Sequence, residues 1–182
     1  MIRLFDILIS FVGLIISLPI ILILLLFSFS EKGSFIFKQK RLGYKNKIFY
    51  LFKIRTMKIN TKNLPTHQLS EESFNNYGSF LRKTKIDELP QLFNVLKGEM
   101  SIVGYRPCLL NQKELIKERE KFKINMTKPG ITGLSQVNKI DMSNPVLLAK
   151  SDYEMIRNFS LLNYFKYIFL TFLGSGFGDR IK

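Results

Sequence analysis

The chain has 182 residues, a formal net charge of +14 and an apolar fraction of 46% that includes 17 phenylalanines. This is enough for one compact domain plus an apolar segment, and it excludes a disordered basic tail, which lacks the side chains for a core. Arg3 and Asp6 cancel within the first thirty residues, so the positive excess belongs to residues 31–182 and favours polyanions: nucleic acid, anionic lipid headgroups or phosphorylated substrates.

From Ile7 to Phe29 the chain is almost wholly apolar and long enough to cross a bilayer core. A cleavable leader is disfavoured, because no small-x-small site precedes Glu31 and Lys32. Pro19 removes a backbone donor and clashes with the preceding turn, so the helix is expected to kink or break there. Ser17 stands two residues earlier, where its hydroxyl can serve backbone groups released by the kink. Two topologies fit: a bent span, the commoner outcome for such a run, or a dip into one leaflet and back. The positive-inside tendency puts the basic portion on the cytoplasmic side in both. The chain thus divides into a membrane helix over 1–30 and a membrane-associated domain over 31–182.

Two β-prone runs come next, Phe35–Gly43 and Ile48–Met57, separated by a Gly-Tyr-Lys-Asn turn region, and they read as a hairpin. Lys53 and Arg55 alternate on one face of its second strand. Residues 58–70 are polar, with Pro65 and the lone His67, and read as a loop; His67 is assigned no role. Ser73–Lys83 has helical spacing in Phe74, Tyr77 and Leu81, weakened by Gly78. A better-signalled helix covers Glu88–Lys97, with Asp87 as N-cap, Pro90 in the first turn and Gly98 after its end. Ser101–Gly104 is a short extended segment, Gln112–Phe122 a charged helix, and Lys128–Gly133 a turn-rich loop. The single cysteine, Cys108, fits a reducing compartment and reads as a buried or half-buried thiol. Phe159–Leu173 carries eleven apolar or aromatic residues among fifteen, with Lys166 as its one charge. That is short for a span, and suits either a helix in the membrane interface or a buried core helix.

Asp87 and Glu88 stand beside Arg82, Lys83 and Lys85. Two carboxylates in a cationic setting can hold a divalent metal, and one of them can attack phosphorus once the phosphate charge is neutralised. The same pair is also an ordinary helix start with a solvated neighbour. Lys53, Arg55, Arg106 beside Pro107, and Lys128 beside Pro129-Gly130 are further cations for phosphate oxygens. No phosphate loop, dinucleotide fingerprint, zinc spacing or nucleophile elbow is present.

Taken in order, these segments make the chain resemble the monotopic phosphoglycosyl transferases, the bacterial sugar transferase family that starts glycan assembly on undecaprenyl phosphate, and a minimal catalytic-core member of it. The carriers are the apolar helix interrupted at Pro19, Phe37–Gly43, Phe52–Met57, the stretch Asp87–Ser101, Val103–Pro107, and Lys128–Gly133 followed by Gln136-Val137-Asn138. The resemblance implies a mixed α/β, mostly helical fold with a small hairpin, a re-entrant helix broken at Pro19, and interfacial amphipathic helices around a membrane-surface site. It implies that Asp87 attacks the sugar-bearing phosphorus of a UDP-sugar, that UMP leaves, and that polyprenyl phosphate then takes the phosphosugar. Glu88 would assist through a metal or a proton, Mg²⁺ would be held by Asp87 and Glu88, and Arg82, Arg106 and Lys128 would hold phosphate. Location on the cytoplasmic face of the bacterial inner membrane, contact with anionic lipid, and a homo-oligomer are compatible with it. The sequence departs from the family pattern at Leu18-Pro19, with Ser17 displaced by one, and at Tyr105, Lys128, Leu134-Ser135 and Lys139-Ile140. These changes bear on donor identity more than on the reaction. The rival class is a non-catalytic basic membrane adaptor; nucleic-acid binding is disfavoured by the membrane helix and the missing recognition motifs.

Overall fold

The computed structural model describes residues 1–28, 34–58, 74–75 and 77–175, with the side chains of Phe27 and Ser28 outside that description. Helix α1 (Ile2–Ser28) runs unbroken through Pro19, so the proline does not end it. Pro19 offers no N–H to the Ile15 carbonyl, yet the Ser17 hydroxyl donates to Leu14 O at 3.1 Å, one residue away from the group the proline leaves. The expected help from Ser17 therefore goes to a different carbonyl.

One stripe of α1 faces the protein. Asp6, Ser10 and Ser17 are buried on it, and a Cβ added to Gly13 would lie 3.0 Å from Leu92. Spacing of three or four residues puts these small and polar side chains on a single helix face. The remaining surface carries exposed Leu4, Leu8, Phe11, Ile15, Leu22 and Leu26, on a helix long and apolar enough to cross a membrane. An apolar surface of this extent, left uncovered by the fold, is a membrane-facing one.

Strands β1 (Ile36–Leu42) and β2 (Ile48–Ile54) form the expected antiparallel hairpin, with Lys38 opposite Phe52 and Arg41 opposite Phe49. Lys45 and Asn46 take positive φ in its turn. Residues directly opposite share a face, so Phe37, Gln39, Arg41, Phe49, Leu51 and Lys53 point one way and Lys38, Lys40, Tyr50 and Phe52 the other. Phe49 and Leu51 enter the core and carry Arg41 and Lys53 inward with them.

Helix α2 is shorter than the spacing suggests, Gly78–Lys83, because Phe74 pairs with Met57 as an isolated bridge. Gly78 begins the helix tightly against Thr56, whose carbonyl would lie 2.1 Å from a Cβ there. Helix α3 (Gln91–Lys97) ends at Gly98 with φ 82°, as expected of a left-handed cap. It lies along the free edge of β2, where fully buried Asn94 takes the place of a neighbouring strand. Its amide oxygen accepts from Phe52 N at 3.1 Å and its amide nitrogen donates to Tyr50 O at 2.7 Å.

Strand β3 (Ser101–Val103) pairs in parallel with β4 (Gly130–Thr132), so the segment read as a turn-rich loop is partly strand. The pairing needs glycines: a Cβ at Gly130 would fall 2.0 Å from Gly104 N. Helix α4 (Lys113–Lys121) buries Leu115 and Arg119 beneath its charged face. Helix α5 (Leu134–Val137) and helix α6 (Pro145–Arg157) come after it, the latter capped by Asn144, whose side chain accepts from Leu147 N at 3.1 Å.

Helix α7 (Leu161–Phe172) settles between the two readings of its sequence: Tyr164 and Tyr167 are buried in the core, while Leu162, Phe169 and Phe172 are 84%, 62% and 87% exposed. Phe165 meets Phe5 of α1 edge-on at 5.2 Å, so the bare apolar faces of the two helices adjoin. Between them sits a buried polar knot in which Asp6 Oδ1 accepts from Ser101 Oγ at 2.9 Å, Ile102 N at 2.9 Å and Tyr164 Oη at 2.8 Å. Burial and the bond to Asp6 push the Tyr164 phenol well above its ordinary range.

Candidate active site

Lys85 takes a left-handed conformation, φ 56°, and turns the chain from α2 into a 3-10 turn over Ile86–Glu88. Asp87 therefore sits inside a turn, 3% exposed, and is not the N-cap of a helix starting at Glu88. The regular helix waits until Gln91 because Pro90 has no N–H to add to its ladder. Lys53, delivered by the inner face of β2, reaches both carboxylates, with Nζ 2.7 Å from Glu88 Oε1 and 3.9 Å from Asp87 Oδ2. Burial raises the Glu88 carboxyl, but Lys53, Arg106 and Lys85 together outweigh it and bring it to about 2. Glu88 is thus a fixed anion at neutral pH, suited to holding a cation rather than to donating a proton.

A cleft opens on Glu88, with Asp87 buried one residue behind. Four cations line it: Arg41 and Lys53 from the hairpin, Lys85 from the turn, and Arg106 with Pro107 after β3. Gln91 and Gln136 supply amides, and Gly130 with Ile131 closes one wall. Among the expected site residues, Lys53, Glu88, Arg106 and Pro107 come together here with Asp87 against Lys53. Arg55 stands outside this lining, its Nε donating to Ser34 O at 2.8 Å and its guanidinium 5.4 Å from the Phe37 ring centre. It comes just after the last residue of β2, so the strand alternation that carries Lys53 inward ends before it. Arg82 also lies outside the lining, with Nε donating to Thr56 Oγ1 at 3.1 Å and its guanidinium 5.0 Å from the centre of Phe74. Lys128 is drawn to the C-terminal end of α3, where its Nζ would be 3.7 Å from a Cβ on Gly98. There it joins Arg3, which donates to Val95 O at 2.6 Å and Leu96 O at 2.9 Å. Cations at a helix C-terminus answer its exposed carbonyls.

The sequence names Lys85 only as a cationic neighbour of the pair and points to no role for Arg41, Gln91 or Gln136 in the cleft. The signal for Arg41 is the hairpin register, since two-residue alternation puts it on the face of Lys53.

Both flanks of the cleft rest on one buried ion pair. Arg119 of α4 donates through Nη2 at 2.7 Å and Nε at 3.0 Å to Asp152 Oδ2 of α6, and through Nη1 at 2.9 Å to Arg106 O. The other oxygen of Asp152 accepts from Ser135 Oγ at 2.5 Å, the neighbour of Gln136. Cys108, nearby, is buried as expected, and burial pushes its thiol up, away from reactivity.

Residues 1–176 match the family model described as bacterial sugar transferase. The chain belongs to that family. Its relatives include the exopolysaccharide production protein ExoY of Sinorhizobium fredii, 35% identical across 93% of this chain and 82% of the relative. The undecaprenyl-phosphate galactose phosphotransferase of Salmonella typhimurium is 33% identical over 93% of this chain and 39% of its own length. The UDP-glucose:undecaprenyl-phosphate glucose-1-phosphate transferase of Xanthomonas campestris is 36% identical over 78% and 31%. The chain therefore spans about two fifths of the Salmonella protein and less of the Xanthomonas one. Membership in this transferase family, together with the exposed apolar helix, makes the protein membrane-associated.

A magnesium ion fits what is present at the dyad. Mg²⁺ is commonly held by one or two carboxylates and completed by water and substrate phosphates, without a larger protein cage. Asp87 and Glu88 would be the carboxylates for it, and no group of three or more acidic, histidine or cysteine ligands occurs among the described residues.

Proposed function

We propose that this bacterial sugar transferase moves a sugar 1-phosphate from a UDP-sugar to undecaprenyl phosphate by way of a phosphosugar on Asp87. The observation that carries this reading is the carboxylate pair in a turn at a cleft lined by four cations, in a chain whose apolar helix packs against α3. Arg41, Lys53, Lys85 and Arg106 hold the diphosphate and spread its charge, so that a carboxylate can approach phosphorus. An Asp87 oxygen bonds to the sugar-bearing phosphorus as the bond to the bridging oxygen breaks, and the electron pair leaves with UMP. An oxygen of polyprenyl phosphate then attacks the same phosphorus, and the Asp87 carboxylate is released with its electrons. Asp87 and Glu88 would hold Mg²⁺, which supplies charge neutralisation on the diphosphate.

A re-entrant α1 belongs to this proposal. Arg3 and Asp6 fasten the start of the helix to the basic domain. The chain returns to that domain at Ile36, eight residues after Ser28 and within a reach of about 29 Å, which supports a helix whose two ends stay on one side of the bilayer. The positive excess suits the cytoplasmic face and its anionic lipids. In this placement the cleft meets a soluble donor and a lipid acceptor at the same surface.

The test is UMP release by purified protein in detergent with Mg²⁺, undecaprenyl phosphate and a panel of UDP-sugars. Asp87→Asn should abolish release, and labelled sugar phosphate should stay on the wild-type protein when acceptor is withheld. Undiminished release by Asp87→Asn would overturn the assignment, and a protein that binds anionic vesicles but releases no UMP would be an adaptor instead.

A further inference from the structure

Gln136 is 8% exposed and lines the cleft, yet its Oε1 has no hydrogen-bond partner among the described residues. The other end of the amide faces Gly104 O in a long contact of 3.5 Å, and a carbonyl can only accept, which favours the amino group there and leaves the oxygen over. A buried acceptor left unpaired is costly to the fold, and such groups in native proteins usually have a reason.

The reason here is constrained by what else occupies the cleft. Oε1 needs a donor, which excludes the phosphate oxygens and the carboxylate of Glu88. The cations around it are drawn to the diphosphate. A hydroxyl or N–H of the bound substrate, taking the place of cleft water, meets that need. Gln136 lines the same cleft as Glu88, beside the phosphorus that the carboxylate pair would meet. The sugar hangs directly on that phosphorus, whereas the uracil lies beyond a second phosphate and a ribose.

Building on the function proposed above, we propose that Gln136 Oε1 accepts a hydrogen bond from a sugar hydroxyl or amide N–H of the donor, and so selects which sugar is transferred. Ser135, held by Asp152, fixes the short helix from which Gln136 projects, and a rigidly placed acceptor discriminates better than a mobile one.

The experiment compares kcat/KM for the UDP-sugar used by the wild-type protein with its analogues lacking one hydroxyl or amide at a time. One analogue should fall roughly tenfold, the value of a single hydrogen bond that leaves its partner unpaired. Gln136→Met, similar in shape but without an acceptor there, should lose about the same factor with the parent sugar and treat parent and analogue alike, while inhibition by UMP stays unchanged. A deoxy series on the wild-type protein with no drop beyond about twofold would overturn the proposal without any variant having to fold. So would a Gln136→Met protein of unaltered thermal midpoint whose UMP inhibition weakens in step, since that places the amide on the nucleoside. Release of UMP from any UDP-sugar tests the reaction itself, and its dependence on single sugar groups tests Gln136 alone.

Discussion

Replacing Asp6 tests how the membrane helix is joined to the domain. Its Oδ1 accepts three bonds, from Ser101 Oγ, Ile102 N and Tyr164 Oη, at a site where Asp6 is 2% exposed and Tyr164 fully buried. Asp6→Ala strands all three donors, each worth about 1–3 kcal/mol when left unpaired. Partial relaxation and shared water make them less than additive, so the loss should be about 3–5 kcal/mol. In a domain of this size that lowers Tm by roughly 8–16 °C. Asp6→Asn keeps an oxygen with two lone pairs and should lose only about 1–2 kcal/mol. Tyr164→Phe removes one donor, and combined with Asp6→Ala it should add little, because the two changes share a bond. The assay is thermal unfolding of the detergent-solubilised protein, monitored by far-UV circular dichroism. An Asp6→Ala midpoint within about 2 °C of wild type, or full additivity with Tyr164→Phe, would refute the view that this knot fastens α1.

The packing sets three further outcomes. Asp152→Asn leaves the buried Arg119 without its counter-charge, and should destabilise by about 3–5 kcal/mol in the same melt. Arg119→Met with Asp152→Leu should lose less than Asp152→Asn alone, while still lowering UMP release because Arg106 O and Ser135 lose their support. Gly130→Ala puts a methyl 2.0 Å from Gly104 N, backbone that cannot yield, so the loss should reach or exceed about 3 kcal/mol; soluble protein with an unchanged Tm would contradict the β3–β4 register.

Much of the scaffold is legible from local chemistry. Alternating β-prone runs around Gly43 give the hairpin, Gly98 gives the end of α3, and the apolar run gives α1, because periodicity and caps act over a few residues. A break at Pro19 overstates what a proline does: it removes one bond, and α1 continues through it. A helix start at Asp87 is the natural reading of its neighbours, but the left-handed Lys85 and the imino nitrogen of Pro90 make a 3-10 turn there instead. Helix α6 escapes the sequence reading although Asn144-Pro145 opens it with an N-cap and a proline at the first turn.

The order of residues by itself determined which side chains carry charge, which segments seek lipid, and that Asp87 and Glu88 stand together. It gave no measure of convergence. Arg41, Lys53, Lys85, Arg106 and Gln136 meet because the hairpin, the turn, the β3 end and α5 pack on one core, and such distances depend on contacts far apart in the chain. The same packing separated Arg3 from Asp6, which cancel as charges on paper. In the fold one closes the carbonyl end of α3 and the other accepts three buried bonds, since desolvated polar groups are satisfied by their neighbours in space and not by the sum of the sequence.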